Sequence, residues 1–312
     1  MTDTTLPQAG PLDVHAALDD QSPVSSKIAK KTTSRTGQIV VWIIAAFWTI
    51  PTLGLFVSSF RPEREIKTTG WWEFFASPDV TMTNYRDVLA TEIGGEPIST
   101  YFWNSIRITL PGAIIPIIIA AFAAYAFSWM TFKGRDWMFV AVVGLMVVPL
   151  QMCLIPLLKW ISSDAWYSPV QGGIGAVWLA HAIFAMPLAI FLLKNFIGGL
   201  PREVIEAARV DGASHMTIFT RIVLPLSVPA LASIGIFQFL WVWNDLLVAK
   251  VFAGSPDNQP MTKVMVDMVG SRGNDWQLLT AGAFIMMIIP LIVFLSLQRY
   301  FVRGLLAGSV KG

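Results

Sequence analysis

Charge is what this sequence has least of. Its 312 residues carry 22 Lys and Arg against 20 Asp and Glu, 13% of the chain, with a formal net charge of +2. A water-soluble domain carries about 25% charged residues, so the composition excludes an ordinary soluble protein and indicates one solvated by lipid. The basic residues flank apolar blocks instead of clustering, which leaves no footprint for nucleic acid. Cys153, inside an apolar run, is the only cysteine, so an intramolecular disulfide and a cysteine metal cluster are both impossible. His15, His181 and His215 are far apart in the chain and give a histidine metal site little support.

Chemistry-bearing strings are absent as well. No Gly-x-x-x-x-Gly-Lys-Ser/Thr loop is present to wrap phosphates with backbone amides. There is no Gly-x-Ser-x-Gly nucleophile turn and no His-Glu-x-x-His helix. No catalytic residue and no metal ligand is assigned, and the chain is not expected to hydrolyse ATP. No duplicated half of the kind that builds many secondary transporters is visible, and no cleaved signal peptide is expected.

What the sequence has in abundance is apolar length, 54% of the chain being hydrophobic. The intervals 36–60, 108–132, 137–158, 165–193, 222–244 and 276–298 contain no Asp, Glu, Lys or Arg. Each is long enough to cross hydrocarbon, which takes about 20 helical residues, and a spanning segment must satisfy its own backbone as a helix. Ser168-Pro169 and Gly172-Gly173 delay the fourth span to about residue 174. Pro111, Pro116, Pro149, Pro156, Pro187 and Pro290 lie inside the spans and should kink them. The expected fold is therefore an all-α integral membrane protein with six transmembrane helices, preceded by a polar, disordered tail at residues 1–35.

Six spans put both termini on one side. With the termini in the cytoplasm, thirteen of the 22 Lys and Arg face inward, the sign of the positive-inside bias. Two long loops then lie outside. Loop 61–107 holds Trp71-Trp72-Glu73-Phe74-Phe75, suited to a membrane–water interface, and a capped short helix at 83–89. Loop 245–275 is turn-rich and polar and reads as solvent-facing; connectors of this length usually bind something.

Inside, between the fourth and fifth spans, lies the one long polar helical segment, Leu200-Pro201-Arg202-Glu203-Val204-Ile205-Glu206-Ala207-Ala208-Arg209-Val210-Asp211-Gly212. Pro201 suits a helix start, Glu203 and Glu206 suit its positive end, and Gly212 can take the left-handed conformation that ends it. Ser214 can cap a second helix, which makes a helix–turn–helix knuckle. A plain alternative is a solvated loop helix in which Arg202 and Arg209 satisfy Glu206 internally.

The longer string settles on the first reading by resemblance. Glu206-Ala207-Ala208, then Gly212, Ile222 and Leu224-Pro225, resembles the EAA loop of ABC-importer permeases. The surrounding residues 200–231, Phe102-Trp103-Asn104-Ser105 and the C-terminal Leu297–Gly312 stretch are similar to the carbohydrate-uptake (CUT1-type), MalG-like branch. The resemblance covers about residues 40 to 312 and implies the type I ABC importer permease fold with a cytoplasmic EAA coupling helix in the loop 195–221. It further implies a bacterial or archaeal plasma-membrane protein whose partners are a homologous MalF-like permease, two ABC ATPases that bind ATP and Mg, and an extracytoplasmic solute-binding protein. In such importers the coupling helix docks in a cleft of the ATPase. Glu203, Glu206, Ala207, Ala208, Asp211 and Gly212 are the coupling residues so implied, with Glu206 meeting a basic group, Ala207 and Ala208 allowing close approach and Gly212 forming the turn. The strings 244–249 and 270–276 are similar to α-glucoside permeases, which implies a di- or oligosaccharide of maltose or trehalose type.

Polar groups within spans are functional candidates, and on that ground Gln151, Gln238, Trp241, Trp243, Asn244 and Asp245 are candidates for the substrate pathway. Trp241, Trp243 and Asn244 could stack on a sugar ring and bond its hydroxyls; interfacial anchoring accounts for them equally well. His181 reads as a packed bundle histidine. An ion-coupled carrier, which would need carboxylates inside the charge-free intervals, and an ABC permease for a non-sugar solute remain the alternatives.

Overall fold

The computed structural model describes residues 35–93, 95–162, 173–271 and 275–309, with backbone alone at 270, 271 and 300–309. Residues 1–34 of the tail expected at 1–35, Ser168-Pro169 and Gly172 before the fourth span, and residues 272–274 of the string 270–276 lie outside the described residues, and Arg35 is already helical. The described chain forms two units, divided after Val57. The first is most of α1 (Arg35–Ser59), a 25-residue helix that runs through Pro51.

The second unit begins with small elements: α2 (Glu63–Thr68), a 3-10 turn (Trp71–Phe75) and α3 (Thr83–Ala90). A two-stranded hairpin, β1 (Glu92–Ile93) with β2 (Glu96–Pro97), follows. Contrary to the sequence reading, α3 has no side-chain cap. Its Asn84 instead is buried and donates to the carbonyls of Ser59 and Arg61 at 2.9 and 2.8 Å. Then come the long helices α4 (Ile98–Trp129), α5 (Arg135–Leu145), α6 (Leu150–Ile161) and α7 (Ile174–Ile197). After them run α8 (Arg202–Val210), α9 (His215–Leu226), α10 (Val228–Trp243), α11 (Leu247–Phe252), α12 (Met261–Ser271) and α13 (Trp276–Ser309).

Among the described residues four helices, α1, α4, α7 and the Trp276–Arg299 part of α13, are each long and apolar enough to cross a membrane. The pairs α5–α6 and α9–α10 qualify as crossings only as bent pairs, turning by 104° and 72°. The interval 137–158, expected as one span, is therefore broken. Pro149 causes the break: its backbone is extended, φ −62° and ψ 128°, and a residue before proline avoids the helical region. The second bend falls at Ser227, between Pro225 and Pro229, neither of which can donate a helical N–H; a π-helical turn at Phe219–Val223 precedes it. Elsewhere the helices run on through Pro111, Pro116, Pro156, Pro187 and Pro290.

Hydrogen bonds fix the direction of the central pair. Trp178 Nε1 donates to Arg107 O near the start of both α4 and α7, and Trp129 Nε1 donates to Ile197 O at the end of both. The two helices are thus parallel, and α5 with α6 returns the chain between them. α10 runs the other way, its start packing with Ala120 and Ala189 and its Val242 with Ile108 and Val177.

Small residues hold α4 and α7 together. Ala120, Ala121 and Ala124 of α4 share one apolar cluster with Ala189 of α7, all nearly inaccessible. Without a hydrophobic drive between helices in lipid, close backbone approach is what holds such a pair. Ala124→Leu should overpack this seam and cost about 1–3 kcal/mol. A lowered unfolding temperature in detergent would show it, while Ile118→Leu, at a position 51% exposed, should leave that temperature unchanged.

Candidate functional site

The knuckle expected from the sequence is α8, a turn and α9. Pro201 stands just before α8 with an extended backbone, φ −57° and ψ 125°. Ile205 is the one buried residue of α8; it joins Ala124, Leu193, Ile197, Ile218 and Phe219 in one apolar cluster. The turn is a Schellman motif, with Ala213 N bonded to Ala208 O at 2.9 Å and Gly212 N to Arg209 O at 3.0 Å. Gly212 has φ +76° and a Cβ there would meet nothing within 4 Å, so glycine is needed for backbone conformation alone. Ser214 Oγ accepts from Thr217 N at 3.2 Å and caps α9.

Glu203, Glu206, Ala207, Asp211 and Gly212 are all exposed. Ala208 differs: it is half-buried and packs against the apolar cluster beneath. Arg209 does not satisfy Glu206, because its Nη2 donates to Trp129 O at the end of α4. Among the described residues no cation lies within ion-pair distance of Glu203, Glu206 or Asp211. Val210 at 87% and Met216 at 58% exposure flank these acids. The knuckle thus presents an acidic, partly apolar face whose charges have no ion-pair partner among the described residues.

Three more contacts tie this end together. Tyr125 Oη and His215 Nδ1 are 3.0 Å apart. Ser128 Oγ donates to Lys194 O at 3.3 Å, and the Lys194 ammonium lies 4.5 Å from the centre of the Phe139 ring.

The substrate-pathway candidates do not form one cluster of free groups. Trp243 is buried, stacked on Phe239 and edge-on to Phe102, and contributes to packing rather than to an open surface. Gln238 is buried and donates to Gly112 O at 3.3 Å. Asn244 is exposed but donates to Leu240 O of its own helix at 2.8 Å. Gln151 and Trp241 are exposed. Asp245, just past α10, accepts from Ala249 N at 3.0 Å and so starts α11. Burial raises its carboxyl above the usual range, against the lowering effect of the N–H groups of Ala249, Val248 and Leu247.

His181 is fully buried, its Nε2 3.7 Å from Asp245 Oδ2, with the Trp241 ring edge-on at 6.1 Å. This pairing of α7 with the end of α10 is invisible in sequence, where the two residues lie 64 positions apart.

Loop 245–275 corrects the sequence reading most. It is largely helical, with Val248, Ala249 and Phe252 of α11 and Met261, Val264 and Met268 of α12 buried. Asn104 holds it: its Nδ2 donates to Asp257 O and, at 3.2 Å, to Gln259 O. Ser105 Oγ accepts from Met261 N at 2.9 Å. The loop is a strapped cap over the start of α4.

Residues 116–306 match the family described as binding-protein-dependent transport system inner membrane component. The osmoprotective compounds uptake permease protein GgtD of Synechocystis sp. is 55% identical over 278 residues, 88% of this chain and 91% of its own length. The alpha-glucoside transport system permease protein AglG of Rhizobium meliloti is 55% identical over 237 residues, 75% of this chain and 61% of its own. Among solved structures, a bacterial ABC transporter that imports the acidic polysaccharide alginate superposes with a TM-score of 0.60 at 14% identity, covering 89% of this chain and 99% of that one.

Asn104→Ala should leave two carbonyls without their donor and loosen the cap by about 1–3 kcal/mol. Hydrogen exchange of residues 254–262 should accelerate; unchanged exchange would show that the cap is held without Asn104. The helical fold, the exposed knuckle and these matches give one assignment: the chain belongs to the binding-protein-dependent transport system inner membrane components, as a MalG-like permease subunit of an ABC importer.

Proposed function

We propose that this chain is one permease half of a sugar-importing complex, and that α8 is the element through which ATP-driven motion reaches it. The observation that carries this reading is the knuckle face. Glu203, Glu206 and Asp211 are exposed and have no cationic partner among the described residues, while Ile205 anchors the helix beneath them. A short helix held on an apolar anchor with an unsatisfied acidic face suits a groove lined by basic groups. Glu206 would meet such a group on an ATPase subunit, Ala207 would allow close approach, and Ala208 would set the depth of α8 from below.

In this reading the knuckle and both termini are cytoplasmic. ATP and Mg belong to two partner ATPases, and a homologous MalF-like permease completes the translocation path. The cap formed by α11 and α12 would face an extracytoplasmic solute-binding protein. A solved alginate transporter was crystallised with its periplasmic protein carrying an alginate pentasaccharide, which supports such a partner. For the solute, the relative named for alpha-glucoside transport supports an α-linked di- or oligosaccharide. Trp241 and Gln151, both exposed, are the candidates left free to meet it. Rigid-body rocking of the helices fixed to the knuckle would then open the path alternately to each side.

The test is sugar-stimulated ATP hydrolysis by the reconstituted complex, with maltose and trehalose as probes. Glu206→Ala should reduce it at least tenfold. Gly212→Ala should reduce it less, through about 1–2 kcal/mol of left-handed backbone strain. Full activity in Glu206→Ala would remove α8 as the docking element, and uptake driven by an ion gradient without ATP would replace the proposal with an ion-coupled carrier.

A further inference from the structure

A transmembrane helix leaves its last four carbonyls without helical donors, and these carry the negative end of the helix dipole. At the end of α4, Ala126 O is taken by Met130 N at 3.1 Å. Trp129 O is taken by the guanidinium of Arg209, which belongs to the knuckle and not to α4. The same Trp129 turns its indole N–H to Ile197 O, at 3.1 Å, in the last turn of α7. Ser128, its neighbour, donates to Lys194 O one turn earlier in α7. One residue thus links three helices: α8 holds its carbonyl, and it holds the end of α7.

The second knuckle helix is fastened to α4 as well. Tyr125, one turn before Trp129, pairs with His215 at the start of α9. Ile205, with no accessible surface, belongs to the same apolar cluster as Tyr125 and Trp129. A push on α8 therefore has stiff routes into the ends of α4 and α7 through polar contacts as well as through the apolar seat. Arg209 has a donor geometry that a point charge lacks, since a planar guanidinium fixes direction as well as distance.

We propose that Arg209 is a positioning residue for energy coupling. By clamping Trp129 O it makes α8 and the ends of α4 and α7 move as one body, while taking no part in docking itself. The proposal rests on the reading of α8 as the docking helix, and its test separates the two.

The full complex, with its ATPases and binding protein, is reconstituted in liposomes with wild-type chain, Arg209→Met, Arg209→Lys, Trp129→Phe and Glu206→Ala. Three quantities are read: ATPase subunits retained on purification, ATP hydrolysed, and sugar taken up per ATP. Arg209→Met should retain the ATPase and hydrolyse ATP within about twofold of wild type, with uptake per ATP lowered at least fivefold. Trp129→Phe, which loses the indole N–H and keeps the carbonyl, should lower the same ratio by a smaller factor. Arg209→Lys, which keeps charge without the planar fork, should fall between Arg209→Met and wild type. An unchanged ratio in Arg209→Met overturns the clamp. Loss of the ATPase subunits in Arg209→Met overturns it too, by making Arg209 a docking residue. If Arg209→Met does not fold, the ratio in Arg209→Lys and Trp129→Phe decides, and wild-type values in both overturn the proposal. Glu206→Ala reports on the other reading: normal retention and turnover there would remove the docking helix, whatever the Arg209 variants do.

Discussion

A helix in hydrocarbon hides its backbone everywhere except at its ends, and the ends are where this structure spends its polar side chains. Within the spans, α4 and α7 meet through alanines, with Trp178 of α7 on Arg107 O of α4 and Gln238 of α10 on Gly112 O as polar contacts to α4. At their C-terminal ends Arg209, Trp129 and Ser128 satisfy carbonyls across three helices. At the opposite end Asn104 and Ser105 satisfy the backbone of the cap. Removing the requirement that terminal backbone groups be bonded would remove the reason for both attachments. The seam of small residues would then remain, with nothing to transmit its movement.

The two attachments have different chemistry because they answer different demands. The knuckle end keeps its acids outward and, among the described residues, without a cation in reach, with exposed Val210 and Met216 beside them. The cap end is folded on itself. Phe252, Met261 and Met268 are buried, and Thr262 Oγ1 donates to Trp243 O at 3.1 Å, so the cap moves with the end of α10 and the start of α4.

Much of this was legible in the sequence, and the failures have definite causes. Charge-free length located the helices because hydrocarbon tolerates nothing else, and Pro201, Gly212 and Ser214 located the knuckle because each has a narrow conformational use. Pro149 was read as a kink when it ends one helix and begins another at 104°; sequence carries the proline but not the degree of turn. The cap was read as a polar loop because Gly, Pro, Asp and Asn between its helices outweighed the apolar positions. Those positions, Val248, Ala249 and Phe252, then Met261, Val264 and Met268, repeat at helical spacing and were the missed signal. Trp243 and Asn244 looked like a sugar platform by residue type alone; Asn244 is engaged locally by Leu240 O of its own helix, and the burial of Trp243 is a tertiary fact. The diversion of Arg209 from Glu206 to Trp129 is of the same kind, since the intrahelical partner was nearer in sequence.

Asn104 and Asp257 are separated by 153 positions, and a chain emerges from the ribosome at about 5–20 residues per second. Asn104 is therefore made about 8–30 s before the segment that covers it. During that interval Asn104, Ser105 and the ring of Tyr101 stand at the membrane surface without the cap. The bonds that close over them can form only after α7 and α10 have been synthesised. Truncation between α10 and α12 would leave a bundle with its central seam intact and its upper edge open.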